Sequence, residues 1–161
     1  MQFSPKMHRT RPTKSAESGT IRCPQFHRDN EESGNMHQSR LATIVIDCQT
    51  ENLEAAAAFW SKALGGVAEQ LPDPENSNYR QLATPPGEVT VLVQSVSHSS
   101  RVHIDIETND IEAEVVRLES LGARRVAQIK RWWVMEAPTG QRFCVVRPQR
   151  SDFEDHANVW R

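Results

Sequence analysis

His103, Asp105 and Glu107 stand at alternate positions in the run Arg101 to Thr108, RVHIDIET. Alternate residues of a β-strand share a face, so an imidazole and two carboxylates project to the same side. An imidazole there can serve as a metal ligand, a general base or a hydrogen-bond donor, because its pKa near ~6.5 suits each role. Asp105 is placed to pair with it or orient it, as carboxylates beside a working histidine do. Glu107, close to the strand end, reads as part of a solvated face. Trp132 and Trp133 are consecutive, so one must face opposite to the other: one indole enters the core while its neighbour can form a flat wall for a planar or cationic ligand. Cys144 sits in the apolar run Phe143 to Val146, reads as a small buried hydrophobe, and has only Arg142 nearby to lower its pKa. Asp47 reads as the end of an earlier strand. Arg124, Arg125, Lys130 and Arg131 read as solvated charge, although Arg131 beside the tryptophans could meet an acidic ligand. The sequence holds no phosphate-binding glycine loop and no Ser-His-Asp arrangement.

The elements that must position these groups occur twice. Leu41 to Cys48, LATIVIDC, is short and β-branched, as a strand should be. Its alternation sets Ala42, Ile44, Ile46 and Cys48 against Thr43, Val45 and Asp47. Thr50 is the expected N-cap of a helix over Glu51 to Leu64, stopped at Gly65. Three short strands are expected at Val67 to Leu71, Tyr79 to Ala83 and Val89 to Gln94. The order then repeats: a strand from Val102 to Thr108, Asp110 as N-cap, a helix from Ile111 to Leu121, and strands at Arg125 to Ile129, Trp132 to Glu136 and Arg142 to Val146. Aligning Thr50 with Asp110 pairs Thr43 with His103, Val45 with Asp105 and Asp47 with Glu107. Two copies of one β-α-β-β-β plan predict a pseudo-twofold pair of modules.

The bulk numbers suit a single domain with tails: 161 residues, 37% hydrophobic and 25% charged. Residues 1–39 are polar, about one in five is hydrophobic, and no period runs through them, so disorder is expected. Met36 directly precedes the patterned sequence and is a possible true start. Residues 1–40 hold seven Lys/Arg against four Asp/Glu, leaving twelve against seventeen in the remainder. The folded part is therefore acidic, which argues against a nucleic-acid partner. No stretch reaches the ~20 apolar residues of a membrane span, and no apolar leader opens the chain. Cys23, Cys48 and Cys144 are odd in number and lack metal-ligand spacing, which points to a reducing cytoplasm. Residues 149–161 show no sustained period and read as a frayed polar tail.

The two modules, with the segments DCQTENLEAAAAFWSKALGG, HIDIETNDIEAEVVRLESLGA and WWVMEAPTGQRFCVV, resemble the vicinal oxygen chelate superfamily, and within it the glyoxalase-like and bleomycin-resistance-like small domains. The resemblance covers about residues 40–148. It implies an α+β fold in which two βαβββ modules, 40–94 and 101–148, form half-barrels around a small-molecule cavity, and it makes Phe59-Trp60 a core pair. Family enzymes commonly carry metal ligands on the first and last strand of each module, where a divalent ion can chelate two oxygens of a substrate. Those positions correspond here to Thr43, His103, Cys144 and the Val89 to Gln94 strand, which has no carboxylate unless Glu88 reaches in.

One usual ligand, His103, is therefore kept. The expected protein binds a small molecule without a complete metal site and without a cofactor, and its ligand-binding residues are His103, Asp105, Thr43, Trp132, Trp133 and Cys144. The alternatives are a divalent-metal lyase, isomerase or dioxygenase with His103 as one ligand, and a dimerising scaffold without ligand. The resemblance implies a homodimer in each case.

Overall fold

The computed structural model describes residues 36–161, so the expectations for residues 1–35, including the disordered tail, lie outside the described residues. Nine strands form one sheet. They are β1 (His37–Gln49), β2 (Ala68–Gln70), β3 (Tyr79–Leu82), β4 (Thr90–Val96), β5 (Arg101–Thr108), β6 (Arg124–Ile129), β7 (Trp132–Glu136), β8 (Arg142–Val146) and β9 (Asn158–Trp160). The order is β2-β3-β4-β1-β5-β8-β7-β6, with β9 paired to the start of β1. Each module thus contributes four consecutive strands, and the two meet along β1 and β5.

That seam fixes the internal symmetry. β1 and β5 run antiparallel with Ile44 opposite Ile104, Thr43 opposite Asp105 and Val45 opposite His103. A twofold through the Ile44–Ile104 pair exchanges Thr43 with His103 and Val45 with Asp105, the same pairs that sequence alignment gives. β1 is parallel to β4 with Val45 abreast of Leu92, and β5 is parallel to β8 with Asp105 abreast of Cys144. Leu92 is therefore the counterpart of Cys144.

Helix α1 (Leu53–Leu64) follows β1, and α2 (Ile111–Ser120) follows β5. Asp110 caps α2 as expected, its carboxylate accepting from Ala113 N at 3.0 Å. The cap of α1 is Asn52, not Thr50: Thr50 Oγ1 takes the Asn52 N–H in a local turn, and Asn52 Oδ1 takes Ala55 N. The helices differ in what they bury. Under α2, Val115 and Leu118 pack with Met135, Phe143 and Val145, and Trp133 lies against this cluster. The only buried residue of α1 is Ala57. Phe59, expected in the core with Trp60, is 62% exposed and meets Trp60 edge to face at 5.1 Å. At 3.6 residues per turn, neighbouring helical residues cannot both face the sheet.

The chain termini of the described region correct two further expectations. β1 starts at His37, so residues 37–39 belong to the sheet. Residues 149–161 are docked and not frayed. Phe153, in the short helix α3 (Phe153–His156), is 4% exposed, and β9 pairs with His37 to Ser39. Trp160 Nε1 donates to Ser39 Oγ at 2.7 Å, and the Arg117 guanidinium stacks 3.9 Å above the Trp160 ring. The attachment uses side chains distant in sequence, so no local period announces it. No helix among the described residues is long and apolar enough to cross a membrane.

Candidate functional site

The Thr43/Val45 face of β1 and the His103/Asp105 face of β5 look into a cavity of about 960 Å³, with walls from both modules. Leu92 of β4, Tyr79 of β3, Cys144 of β8 and Trp132 complete much of its lining, and the segment Arg147 to Asp152 closes one side. Of the six expected ligand-binding residues, five line this space: Thr43, His103, Asp105, Trp132 and Cys144. Trp133 does not. It packs toward α2 with the Arg125 guanidinium 5.0 Å from its ring centroid, because it follows the lining Trp132 on a strand.

His103, Asp105 and Cys144 form a cluster in which one ligand atom from each lies within 4.8 Å of the others. His103 is fixed from behind. Its Nδ1 is 2.9 Å from Asp47 Oδ2, which also accepts from Arg101 Nε at 3.1 Å. With Nδ1–H donated to that carboxylate, Nε2 is left free on the side of Asp105, whose Oδ1 lies 3.6 Å away. Burial pushes the Asp47 carboxyl upward, but the hydrogen bonds from His103 and from the Arg101 guanidinium more than offset this and hold it below the usual range. Asp47, read from the sequence as a strand end, is in fact 1% exposed and is the residue that orients the histidine. Its alternation with Thr43 and Val45 was the available signal.

Asp105 has the opposite balance. Burial raises its pKa, and the neighbouring His103 and the thiol hydrogen bond of Cys144 offset this only in part. Its Oδ1 is buried and has no hydrogen-bond partner among the described residues. Such an atom costs on the order of 1–3 kcal/mol unless something in the cavity satisfies it. Burial, then the neighbouring Asp105, hold the Cys144 thiol well above its ordinary value, so it is a hydrogen-bond donor and no nucleophile. Burial likewise pushes the Tyr79 phenol up to about 12, keeping it protonated at the cavity wall.

Glu107 corrects the solvated-face reading. It is fully buried and turned away from this cluster, accepting from Arg40 Nε at 2.6 Å and from the backbone N–H groups of Gln149 and Arg150 at 2.7 and 3.2 Å. It thereby anchors the segment that closes the cavity. Glu88 is exposed in the turn before β4 and brings no carboxylate to the first module's side of the cavity.

The donor set can be tested against a divalent ion. An imidazole nitrogen, a buried carboxylate oxygen without a partner and a thiol suit an ion of zinc-like softness, and three protein ligands with an open position are the pattern of catalytic zinc. The residues present therefore fit such an ion. A thiol held protonated would have to release its proton on binding.

A mixed sheet folded as two pseudo-symmetric β-α-β-β-β modules around a shared cavity is the architecture of the vicinal oxygen chelate superfamily. The chain belongs to the glyoxalase-like domain family, whose model matches residues 43–146. Among solved structures it is similar to methylmalonyl-CoA epimerase from Mycobacterium tuberculosis, with 16% identity and a TM-score of 0.51 over 68% of this chain and 88% of that one. It is equally similar in fold to a hypothetical protein from Bacillus halodurans C-125, with 12% identity and a TM-score of 0.51 over 70% of this chain and 96% of the other. At these identities the likeness is one of fold. No curated protein matches the chain.

Proposed function

We propose that the protein binds a small organic molecule in the cavity between its modules, in the manner of glyoxalase/bleomycin-resistance-like proteins. The molecule lies over His103, Asp105 and Cys144 with Trp132 at its side. The observation that carries this reading is the buried, unpartnered Asp105 Oδ1 at the edge of a space of about 960 Å³, a size that suits a small-molecule site. Asp105 accepts a hydrogen bond from the ligand, His103 presents Nε2 to it, and Trp132 offers a stacking face. The protein works as a homodimer in a reducing cytoplasm, consistent with free thiols at Cys48 and Cys144. Calorimetry and thermal shift against a metabolite and antibiotic panel test the reading, with Val45→Trp filling the cavity from its wall. Saturable binding lost in Val45→Trp is the expected result. No binding by any compound, or binding indifferent to the filled cavity, would overturn it.

A second reading is favoured by the convergence of three donor groups and by the Asp47 contact that leaves His103 Nε2 free. Here His103, Asp105 and Cys144 hold a divalent ion, and the protein is a lyase, isomerase or dioxygenase. The ion would supply Lewis acidity toward substrate oxygens. In that case Asp47 keeps the imidazole in one tautomer, Trp132 positions the substrate, and the buried walls exclude water. Elemental analysis after purification without chelator tests this reading. Stoichiometric metal lost in His103→Ala would support it, and metal-free protein that takes up no zinc, manganese, nickel or iron would dismiss it.

A further inference from the structure

We infer that the ligand is an organic anion, bearing a carboxylate or phosphate that Arg131 and Arg147 receive at one end of the cavity while Asp105 accepts a hydrogen bond from its other end. This rests on the cavity being a small-molecule site. Both arginines line the cavity and both are exposed. Among the described residues neither has a carboxylate partner, whereas Arg125, Arg142 and Arg150 of the same half of the molecule are all paired with acids.

Their placement is also unusual for a solvated pair. β7 and β8 run antiparallel with Val134 opposite Cys144 and Trp133 opposite Val145. Arg131 immediately precedes β7 and Arg147 immediately follows β8, so the two stand just outside the same end of this strand pair, where the chain is no longer bound to the alternation of the strands. Two guanidinium charges at one end of a cavity repel each other, and neither has an ion-pair partner among the described residues to relieve it. An anion would. Guanidinium groups match the planar, bidentate geometry of carboxylates and phosphates.

The same register sets the ligand's length. Cys144 is abreast of Asp105, and Arg147 follows the end of β8 three residues beyond Cys144, a backbone separation of roughly 10 Å at ~3.3 Å per residue. Asp105 Oδ1 needs a donor, so the far end of the ligand carries a hydroxyl or amine. Trp132 and Tyr79 line the same cavity, which suits a flat or apolar middle.

The test uses three naphthalene probes that share a hydroxyl at one end and differ at the other: a carboxylate, a phosphate monoester and an aminomethyl group. Binding to the full chain is followed by calorimetry across a salt series. The anionic probes are expected to bind at least about tenfold more tightly than the amine, with affinity falling as salt rises. Arg131→Gln or Arg147→Gln should each cost about tenfold, and the double variant about a hundredfold. The double lysine variant should recover part of the loss, and Lys62→Gln on the outer face of α1 should change nothing. Comparison of the carboxylate and phosphate arms identifies which acid is preferred. Preferential amine binding, or anion binding unaffected by the double glutamine change, would overturn the anion assignment while leaving the cavity reading intact. Failure of all three probes, amine included, together with failure of the wider panel, would remove the cavity reading and this inference with it.

Discussion

The two modules share one backbone plan and differ in what they present to the cavity. At the positions related by the twofold, the first module offers Thr43, Val45 and Leu92, and the second offers His103, Asp105 and Cys144. One wall is almost inert, and the other collects every strong donor of the cluster. The supports follow a different logic. Asp47 and Glu107, also related by the twofold, each pair across the seam with an arginine of the opposite strand: Asp47 with Arg101, Glu107 with Arg40. Yet Asp47 additionally holds His103, whereas Glu107 holds the closing segment through two backbone N–H groups. Equivalent acids have thus been put to unlike tasks, one orienting a functional side chain and one building a wall. Duplicating a fold duplicates its scaffold positions without duplicating the chemistry placed on them.

The largest effects should come from the second module's buried acids. Glu107→Ala leaves Arg40 Nε and two backbone donors without their acceptor, Arg40 keeping only Asp152 on its other nitrogen, and breaking such a buried pair costs about 3–5 kcal/mol. Urea denaturation should show the midpoint falling sharply, and limited proteolysis should cut near Gln149. A loss below about 1 kcal/mol would mean that the closing segment is held by other contacts. Glu114, fully buried in α2, is a parallel case, bound by Arg117 at 2.7 and 2.8 Å and by His37 at 2.8 Å. Burial pushes its carboxyl up, but the hydrogen bonds from Arg117 and His37 pull it further, to a net value below the ordinary 4.5. A native pKa lowered in this way adds stability that is fully present above the unfolded value and drains as pH falls through the native one. Glu114→Gln should therefore destabilise most at neutral pH, with the gap to the parent narrowing below pH 4.5. A gap that stayed constant into acid would refute the ionic account.

The asymmetry of the two cavity walls can be sharpened and then partly erased. Asp47→Asn removes the negative partner of His103 while keeping its shape, and under the reading in which His103, Asp105 and Cys144 hold a divalent ion, loss of such a support lowers metal affinity by about 10–100-fold. Zinc titration by calorimetry would read it; an unchanged affinity would show that the imidazole is oriented without Asp47. Thr43→His places the missing imidazole on the twofold-related position, directly opposite Asp105. Under the same metal reading a fourth donor should tighten zinc by about an order of magnitude, and weaker binding would show that the first module's wall cannot reach the cluster.

The sequence made the modules legible because each strand and helix is written in local pattern: alternation in RVHIDIET, the Asp110 cap, the glycine stops. Pairing Thr43 with His103 needed only alignment of the two caps, and the β1–β5 register agrees with it. What stayed hidden depends on partners far apart in the chain. Asp47 meets His103 only when β1 lies beside β5, and Glu107 looked solvated because the segment that covers it follows forty residues later. Asp105 shares a strand face with Glu107, yet one converges on His103 and Cys144 and the other turns to Arg40; alternation reports the face and not the aim. Phe59 failed for a related reason, since its apolar type was outweighed by its angle on α1.

The smallest expected effect completes the contrast between the two helices. α1 is tied to its own module by Glu54, which pairs with Arg80 of β3 and is 71% exposed at the side chain. Its counterpart tie on α2 runs through Glu114, which is fully buried. Water screens the first pair and not the second, and exposed pairs are typically worth about 0–1 kcal/mol. Glu54→Gln should therefore shift the denaturation midpoint only slightly, and the shift should vanish in about 1 M salt, where the screening length is roughly 3 Å. Glu114→Gln should keep most of its cost under the same salt. If the two substitutions proved equally costly, burial would not be what separates the modules, and the sparse packing under α1 would have to be offset by that surface pair.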